Sequence, residues 1–196
     1  YNNNLEGVRA YLFRAIFFTY FQSGTTGKLQ QMRSNINNFD YEITIEMLDQ
    51  MNDLRVTEGK IEDVVNSEKG SRVGGEVLYY LNLYWINKNF KYEQDHLHPY
   101  SRFDESKPAS VTMEEWKRWR GMRNRLPNLH LLEGRSNGSK NNMRLIDYYN
   151  DMNDEQKSKF LKEAIIPEGV SLEINDFEKF YEKRKEILAE KIRKLL

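Results

Sequence analysis

The groups in this chain best suited to chemistry are an aspartate and a histidine that stand side by side, Asp95-His96. Histidine has an ordinary pKa close to neutrality, so its imidazole is the usual general base at physiological pH. Three more polar residues follow in order downstream, namely Asn128, Asn137 and Lys140. This ordered set predicts a nuclease site that uses one metal ion.

Hydrolysis of a phosphodiester needs a deprotonated water and an electrophilic clamp on the phosphate. We expect His96 to take the proton from the water, and Asp95 to bind Mg²⁺ or Mn²⁺ as the charged ligand. Asn137 can add a neutral carbonyl oxygen to the metal. Asn128 can bond the imidazole and fix which of its nitrogens is basic. Lys140, one helical turn after Asn137, can contact a phosphate oxygen.

The other two histidines have more than one interpretation. His98 could share the face of His96 in a continuing strand and act as a further ligand or substrate contact. The alternative is a loop histidine bonded to the backbone. His130 alternates with leucines in a predicted strand, and we expect it to point to solvent. A partial zinc site with His96 and His98 is conceivable, but the oxygen ligands and the absence of cysteine favour a hard cation.

The pattern Asp95-His96, Asn128 and Asn137-x-x-Lys140 resembles that of the HNH (His-Me finger) nucleases. The segments DHLHPYS and NRLPNLHLLEGRSNGSKNN and the tail FYEKRKEILAEKI look like the C-terminal nuclease half of GmrSD-type modification-dependent restriction enzymes. The resemblance is specific over residues 93–142. It implies His96 as general base, Asp95 and Asn137 as metal ligands, and Asn128 as the residue that orients the base.

The resemblance also implies a partner and a setting for the chain. The substrate would be DNA, which can carry modified bases, and the chain would belong to a bacterial restriction or antiviral defence system in the cytoplasm. The family's N-terminal ParB-like, nucleotide-hydrolysing half is absent from this sequence. The spacing from His96 to Asn128 exceeds that of compact HNH domains, which implies an inserted helix.

A basic run from residue 117 to residue 125 lies within this predicted insertion. It can grip phosphates while Trp116 or Trp119 stacks on a base. The alternative is an exposed helix face whose tryptophans belong to the core. The candidate nucleic-acid contacts are Lys117, Arg118, Arg120, Arg123 and Arg125.

Apolar spacing and turn residues predict the elements that position these groups. Strands are expected from residue 90 up to Pro99 and over 128–132. A capping box at Thr112 and Glu115 starts a helix that stops near Pro127, and Gly74-Gly75 precedes another that ends near 87–89. Further helices are predicted over 5–22, 27–38, 44–52, 60–66, 138–150, 154–164 and 175–196. On the last of these one face forms a core-packing stripe, made of Phe177, Phe180, Tyr181, Arg184, Ile187, Leu188, Ile192 and Leu195.

The predicted fold is mostly α with a small ββα-metal (His-Me finger) insert, α+β overall. It divides into a helical subdomain (1–89), the nuclease motif with its inserted helix (90–150) and C-terminal helices (151–196). Lysine and arginine balance aspartate and glutamate, so net charge predicts no partner, and no apolar run could span a membrane. The alternatives to an endonuclease are a non-catalytic nucleic-acid-binding module and a structural helical domain of a larger assembly.

Overall fold

A computed structural model of the chain describes residues 2–134, 140 and 142–196. The described part is mostly helical and contains one two-stranded antiparallel sheet, which confirms the predicted α+β class. Its strands are β1 (Tyr92–His96) and β2 (Leu129–Glu133). Its helices are α1 (Asn2–Phe17), α2 (Thr25–Asn38), α3 (Ile45–Gln50), α4 (Glu58–Val65), α5 (Arg72–Leu81), α6 (Met113–Met122), α7 (Leu145–Asn150), α8 (Asp154–Glu163) and α9 (Phe177–Arg193).

The register of the sheet decides which candidate residues share a face. Asp95 lies opposite His130, and His96 lies opposite Leu129. Because side chains alternate along a strand, the side chains of Asp95 and His130 project from one face and that of His96 from the other. The helix expected to complete a ββα-metal motif was predicted from about residue 138. Residues 135–139 and 141 lie outside the described part, so that motif stays a prediction.

Helix starts follow the capping chemistry of the sequence. The Thr112 hydroxyl accepts a hydrogen bond from the Glu115 amide at 3.2 Å, and the Glu115 carboxylate accepts one from the Thr112 amide at 2.8 Å. The predicted capping box is therefore confirmed at the start of α6. The residue at which α6 starts determines which of its side chains face the core, and these include Trp116 and Trp119.

The prediction for α5 was wrong at both ends. Ser71 caps this helix by accepting from the Gly74 amide at 3.1 Å, so both glycines lie inside the helix. A Cβ added at Gly75 would come within 2.8 Å of Gln94 Nε2, so the glycine leaves room for the Gln94 side chain of β1. The helix ends at Leu81, and Asn82 caps it.

The chain forms two compact units, residues 1–64 with 191–196 and residues 65–190. The core of the first unit combines α1, α2 and α3. Here α1 presses so close to the backbone that a Cβ at Gly7 would lie 1.7 Å from the Ile43 carbonyl oxygen. Its buried apolar residues are Ala10, Tyr20, Met32, Met47, Leu48, Met51 and Leu54.

The second unit contains the sheet and every candidate site residue that the structure describes. One core cluster packs α6 against α9 through the aromatic side chains of Phe103, Trp116, Trp119, Phe177 and Tyr181. A second cluster joins the end of β1 to α7 and α8 through Leu97, Leu145, Phe160, Ala164, Leu172 and Phe180. Both clusters include residues of α9, with Phe177 and Tyr181 in the first and Phe180 in the second.

No helix of the described residues combines the length and the apolar character that a membrane crossing would need.

Candidate functional site

A buried group of three charged or ionisable residues is centred on Asp95. The Lys140 ammonium donates to Asp95 Oδ2 at 2.5 Å and also to the His96 carbonyl oxygen. His130 Nε2 lies 3.5 Å from the same carboxylate oxygen. Lys140 is only 1% exposed. Lys140 therefore neutralises Asp95 inside the protein, and its ammonium is directed at this carboxylate. The expected contact of Lys140 with a phosphate oxygen stays a prediction.

The charges in this group keep Asp95 ionised. Burial alone would raise the pKa of Asp95, but the His130 imidazole beside it and the ammonium of Lys140 lower that pKa well below its ordinary value. Burial in turn lowers the pKa of Lys140, and the Asp95 carboxylate opposes that effect. An ionised carboxylate is available here at any physiological pH.

Neither His98 nor His130 extends to solvent. His130 is 2% exposed and lies edge-on to Phe160, so the expectation of an outward-pointing side chain is wrong. The physical reason is the register of the sheet, which puts the His130 side chain on the same face as that of Asp95, where Lys140 lies. His98 lies edge-on to Phe177 and Phe180, and its Nε2 has no hydrogen-bond partner among the described residues.

Burial determines how these two imidazoles titrate. It lowers the pKa of His98 to about 3 and the pKa of His130 to about 4. Both are therefore neutral at pH 7. His98 contacts aromatic rings of α9 rather than the Asp95 group, and the structure does not bring it together with the other proposed ligands.

His96 is the histidine that keeps some access to solvent, with 9% of its surface exposed. Its Nε2 lies 3.1 Å from Asn124 Oδ1. An amide oxygen only accepts hydrogen bonds, so the tautomer that can make this hydrogen bond carries its proton on Nε2 and has Nδ1 as the basic nitrogen. The described residues donate no hydrogen bond to Nδ1. The imidazole of His96 is thus held by Asn124, a residue that no pattern in the sequence marks as functional.

The neighbours of His96 favour its neutral form. Burial lowers the pKa of His96, and the hydrogen bond to Asn124 opposes this effect. The positive charges of Lys69 and Lys140 lower the pKa further, against the pull of the Asp95 carboxylate. A neutral imidazole with a defined basic nitrogen meets the first requirement of a general base.

Asn128 is fully buried and holds the backbone instead of the imidazole. Its Oδ1 accepts from the His98 amide at 2.9 Å, and its Nδ2 donates to the carbonyls of His98 and Arg123 at 3.0 and 2.7 Å. The expected contact between Asn128 and the imidazole is therefore wrong. Asn128 instead joins the segment after β1 to the segment before β2. It thereby holds the end of β1, where His96 lies, in place.

A guanidinium on α9 fixes the same approach to β2. Arg184 is 0% exposed and donates to the carbonyl oxygens of Leu126, Pro127, Leu129 and Ala164 at 2.7–3.0 Å. We call these four acceptors the carbonyl cage. The remaining carbonyl of this segment, on Asn128, accepts from the Leu97 amide at 2.8 Å. Every backbone acceptor from residue 126 to residue 129 is thereby used.

The arginines of the basic run are paired with neighbours within the protein. Arg118 binds the Glu178 carboxylate at 2.8 Å, and Arg120 and Arg123 share Asp104 at 3.1 and 2.7 Å. Arg125 donates to Asn66 Oδ1 at 3.3 Å, and Lys117 is exposed. Trp116 and Trp119 are 6% and 3% exposed and belong to the core. The stacking role proposed for these tryptophans is wrong, and the alternative of core tryptophans on an exposed helix is confirmed.

The second predicted metal ligand, Asn137, lies outside the described residues. Within residues 2–134, 140 and 142–196 no group of three or more histidine, aspartate or glutamate side chains is arranged to hold a metal. No hydrogen bond from the described residues reaches Asp95 Oδ1, and this side chain is 15% exposed. One carboxylate oxygen is thus available for a hard cation. That suits Mg²⁺, which often binds through one or two carboxylates and substrate phosphates.

No protein-family model matches the chain, and no curated protein is similar enough to count as a relative.

Proposed function

We propose that the chain is a metal-dependent DNA endonuclease in which His96 is the general base. The observation that carries this proposal is the contact between His96 Nε2 and Asn124 Oδ1, at the end of the strand that also carries Asp95. It leaves Nδ1 able to accept a proton from an attacking water. The oxygen of that water would then attack phosphorus as a phosphodiester P–O bond breaks.

The other described residues act through position and charge. Asn124 keeps the basic nitrogen of His96 unprotonated until it accepts the proton of the water. Lys140 and His130 keep Asp95 ionised, which a ligand to a hard cation requires. Asp95 would hold Mg²⁺ or Mn²⁺ through its available oxygen, with Asn137 as the second ligand that the sequence pattern implies. The bound cation would supply electrophilic assistance at the phosphate.

The setting of this activity rests on the resemblance of residues 93–142 to the GmrSD-type nuclease half. We propose a bacterial cytoplasmic restriction or antiviral role, with DNA as substrate. A ParB-like nucleotide-hydrolysing half would act together with the chain. Whether the DNA must carry modified bases is part of the test.

The test is a nicking assay with supercoiled plasmid and with modified and unmodified phage DNA. Each DNA is incubated with Mg²⁺, with Mn²⁺ and with chelator. We expect cleavage only with a divalent ion, and a loss of about 10²–10⁴-fold in rate for His96→Ala. His98→Leu is the matched control, because His98 lies among the rings of α9, and a melting curve for each variant checks its fold. Undiminished cutting by His96→Ala would refute the assignment.

One observation favours a second candidate, a helical domain without catalysis. Lys140 already compensates the charge of Asp95, and all four arginines of the basic run have partners within the chain. A buried charge group of this kind can exist for structural reasons alone. A folded chain that neither cuts nor binds any of the DNAs with either metal ion would support this candidate.

A further inference from the structure

We infer that Lys69 and Tyr100, both beside the His96 imidazole, form the surface that binds the nucleic-acid strand, with Lys69 at a phosphate oxygen and Tyr100 against a base. This inference rests on the proposed function and names the substrate contacts of the same site. The basic run of α6 was the surface expected from the sequence. Its arginines are paired and its tryptophans are buried, so the strand needs another surface near His96.

The loop that carries Lys69 is hydrogen-bonded to Asn124, the residue that contacts the His96 imidazole. The Lys69 amide donates to the Asn124 carbonyl oxygen at 2.9 Å, and the Asn124 side chain contacts His96. Next to it, Glu68 and Arg125 form an antiparallel bridge, and the Gly70 amide donates to Gln94 Oε1 at 2.7 Å. The loop is therefore bonded to both β1 and the approach to β2, and these bonds hold the Lys69 backbone next to Asn124, the residue that contacts the imidazole.

The charge of Lys69 remains available to a ligand. Its side chain is exposed, and no acid of the described residues forms an ion pair with it. Arg118, Arg120 and Arg123, by contrast, all bind carboxylates. The positive charge of Lys69 acts on His96. A lysine ammonium is a compact point charge well suited to a phosphate oxygen.

Tyr100 supplies an exposed aromatic ring whose orientation is fixed. It is 42% exposed, and the centre of its ring lies 5.5 Å from the centre of the His96 imidazole. The guanidinium of Arg123 lies over the ring, 3.6 Å from its centre, and Asp104 holds that guanidinium at 2.7 Å. Because the ring is already immobilised, stacking a base on its exposed part costs little further side-chain entropy.

Together these residues pair a cation with an aromatic ring, which is how proteins bind a nucleic-acid strand without reading its sequence. Both are held by contacts that also hold His96 or its neighbours. The strand that they bind would have its phosphate beside the base catalyst. Binding at this surface and cleavage at His96 are separable, since neither Lys69 nor Tyr100 takes part in the proton transfer.

The experiment measures binding of a fluorescein-labelled 20-nucleotide single strand and of its duplex by anisotropy, in a His96→Ala background that prevents cutting. Lys69→Gln should weaken binding about 3- to 10-fold and reduce the slope of log affinity against log salt by about 0.7–0.9. Tyr100→Ala should weaken binding of the single strand about 5- to 100-fold, whereas Tyr100→Phe keeps the stacking ring and most of the affinity.

Two exposed residues of the same unit are matched controls. Lys183→Gln removes the same charge from α9, and Tyr84→Ala removes a tyrosine that is 97% exposed. Both should bind within about twofold of the background protein. If Lys69→Gln and Lys183→Gln weaken binding equally, or if Tyr100→Ala and Tyr84→Ala do, the inference is overturned. Absence of any DNA binding would also overturn it.

The two proposals fail in different ways. If binding follows the predicted pattern while the wild-type chain cuts no DNA with either metal ion, the surface stands and the endonuclease proposal fails. If cutting depends on His96 but Lys69→Gln and Tyr100→Ala bind and cut like wild type, the endonuclease stands and this surface is wrong.

Discussion

Arg184 and Lys140 are both cations buried in the 65–190 unit, but the protein compensates them in opposite ways. Arg184 donates only to backbone carbonyl oxygens, the four of the carbonyl cage, and binds no carboxylate of the described residues. Lys140 binds one carboxylate, that of Asp95, and one backbone carbonyl. Burial lowers the pKa of Arg184 to about 9, so it stays charged at neutral pH.

The difference concerns what can change around each cation. Backbone carbonyls neither titrate nor bind a proton, so the surroundings of Arg184 are constant as long as the chain is folded. The partner of Lys140 is a carboxylate that could be shared with a metal ion. Arg184 is therefore built into the fold, whereas the surroundings of Lys140 can respond to a ligand. The guanidinium suits the first task because its planar fork carries five donors.

The largest effect should come from Arg184→Met. This change leaves three buried carbonyl oxygens without a donor, while that of Leu126 keeps the Leu129 amide. Each such group costs about 1–3 kcal/mol, so we expect a loss of about 5 kcal/mol or more. Arg184→Lys should recover only part of this loss, because an ammonium cannot reach all four acceptors. Urea unfolding measures the free energies, with exposed Lys183→Met as the control. Equal stability of Arg184→Met and wild type would show that the carbonyl cage does not hold the fold.

Lys140→Met should have the next largest effect, about 3 kcal/mol, because it leaves the Asp95 carboxylate buried without its counter-ion. Here a second substitution should restore stability. The double variant Asp95→Asn with Lys140→Met removes both charges, and we expect it to lie within about 1.5 kcal/mol of wild type. The same urea measurement closes the double-mutant cycle. A double variant that is no more stable than Lys140→Met would mean that the ion pair is not what the two residues contribute.

The smallest effect concerns the pH dependence of stability and comes from His98, with Arg184 and Lys140 unchanged. The pKa of His98 is about 3 in the folded chain against an ordinary 6.5, so the unfolded chain takes up the proton first as pH falls. Stability is therefore complete above pH 6.5 and declines below it, by about 2 kcal/mol between pH 7 and pH 5 for this residue. We expect His98→Leu to lose about that much less than wild type over the same range. Identical pH profiles of the two proteins would contradict the buried neutral imidazole.

The fold was predictable where a local signal decides it. Thr112 and Glu115 gave the start of α6, and alternation with turn residues gave β1 and β2. The apolar stripe of α9 included Arg184 among its inward residues, and this is confirmed. The stripe does not predict which groups Arg184 binds, because its partners are backbone carbonyl oxygens, which occur at every residue and carry no sequence signal.

The contacts among the residues of the proposed site could not be predicted from the sequence. Alternation in β2 predicts that His130 and the leucines beside it face opposite sides, but not which side the rest of the chain covers. Asn124 and His96 are 28 residues apart, and nothing in an asparagine within a basic run marks it as the partner of an imidazole. Lys69 lies in a polar loop whose backbone pairing with residues 124–126 arises only from the tertiary fold.

The carbonyl cage also sets an order of events during synthesis. The approach to β2 is made by the ribosome 55 residues before Arg184, which later supplies the donor for Leu129. Until Arg184 has left the ribosome, the carbonyls of Leu126, Pro127 and Leu129 lack the donors that its guanidinium supplies. The nascent chain therefore carries Asp95 and His96 for some time without the framework that joins them. The residues of the proposed site are therefore translated well before the helix whose Arg184 holds the approach to β2.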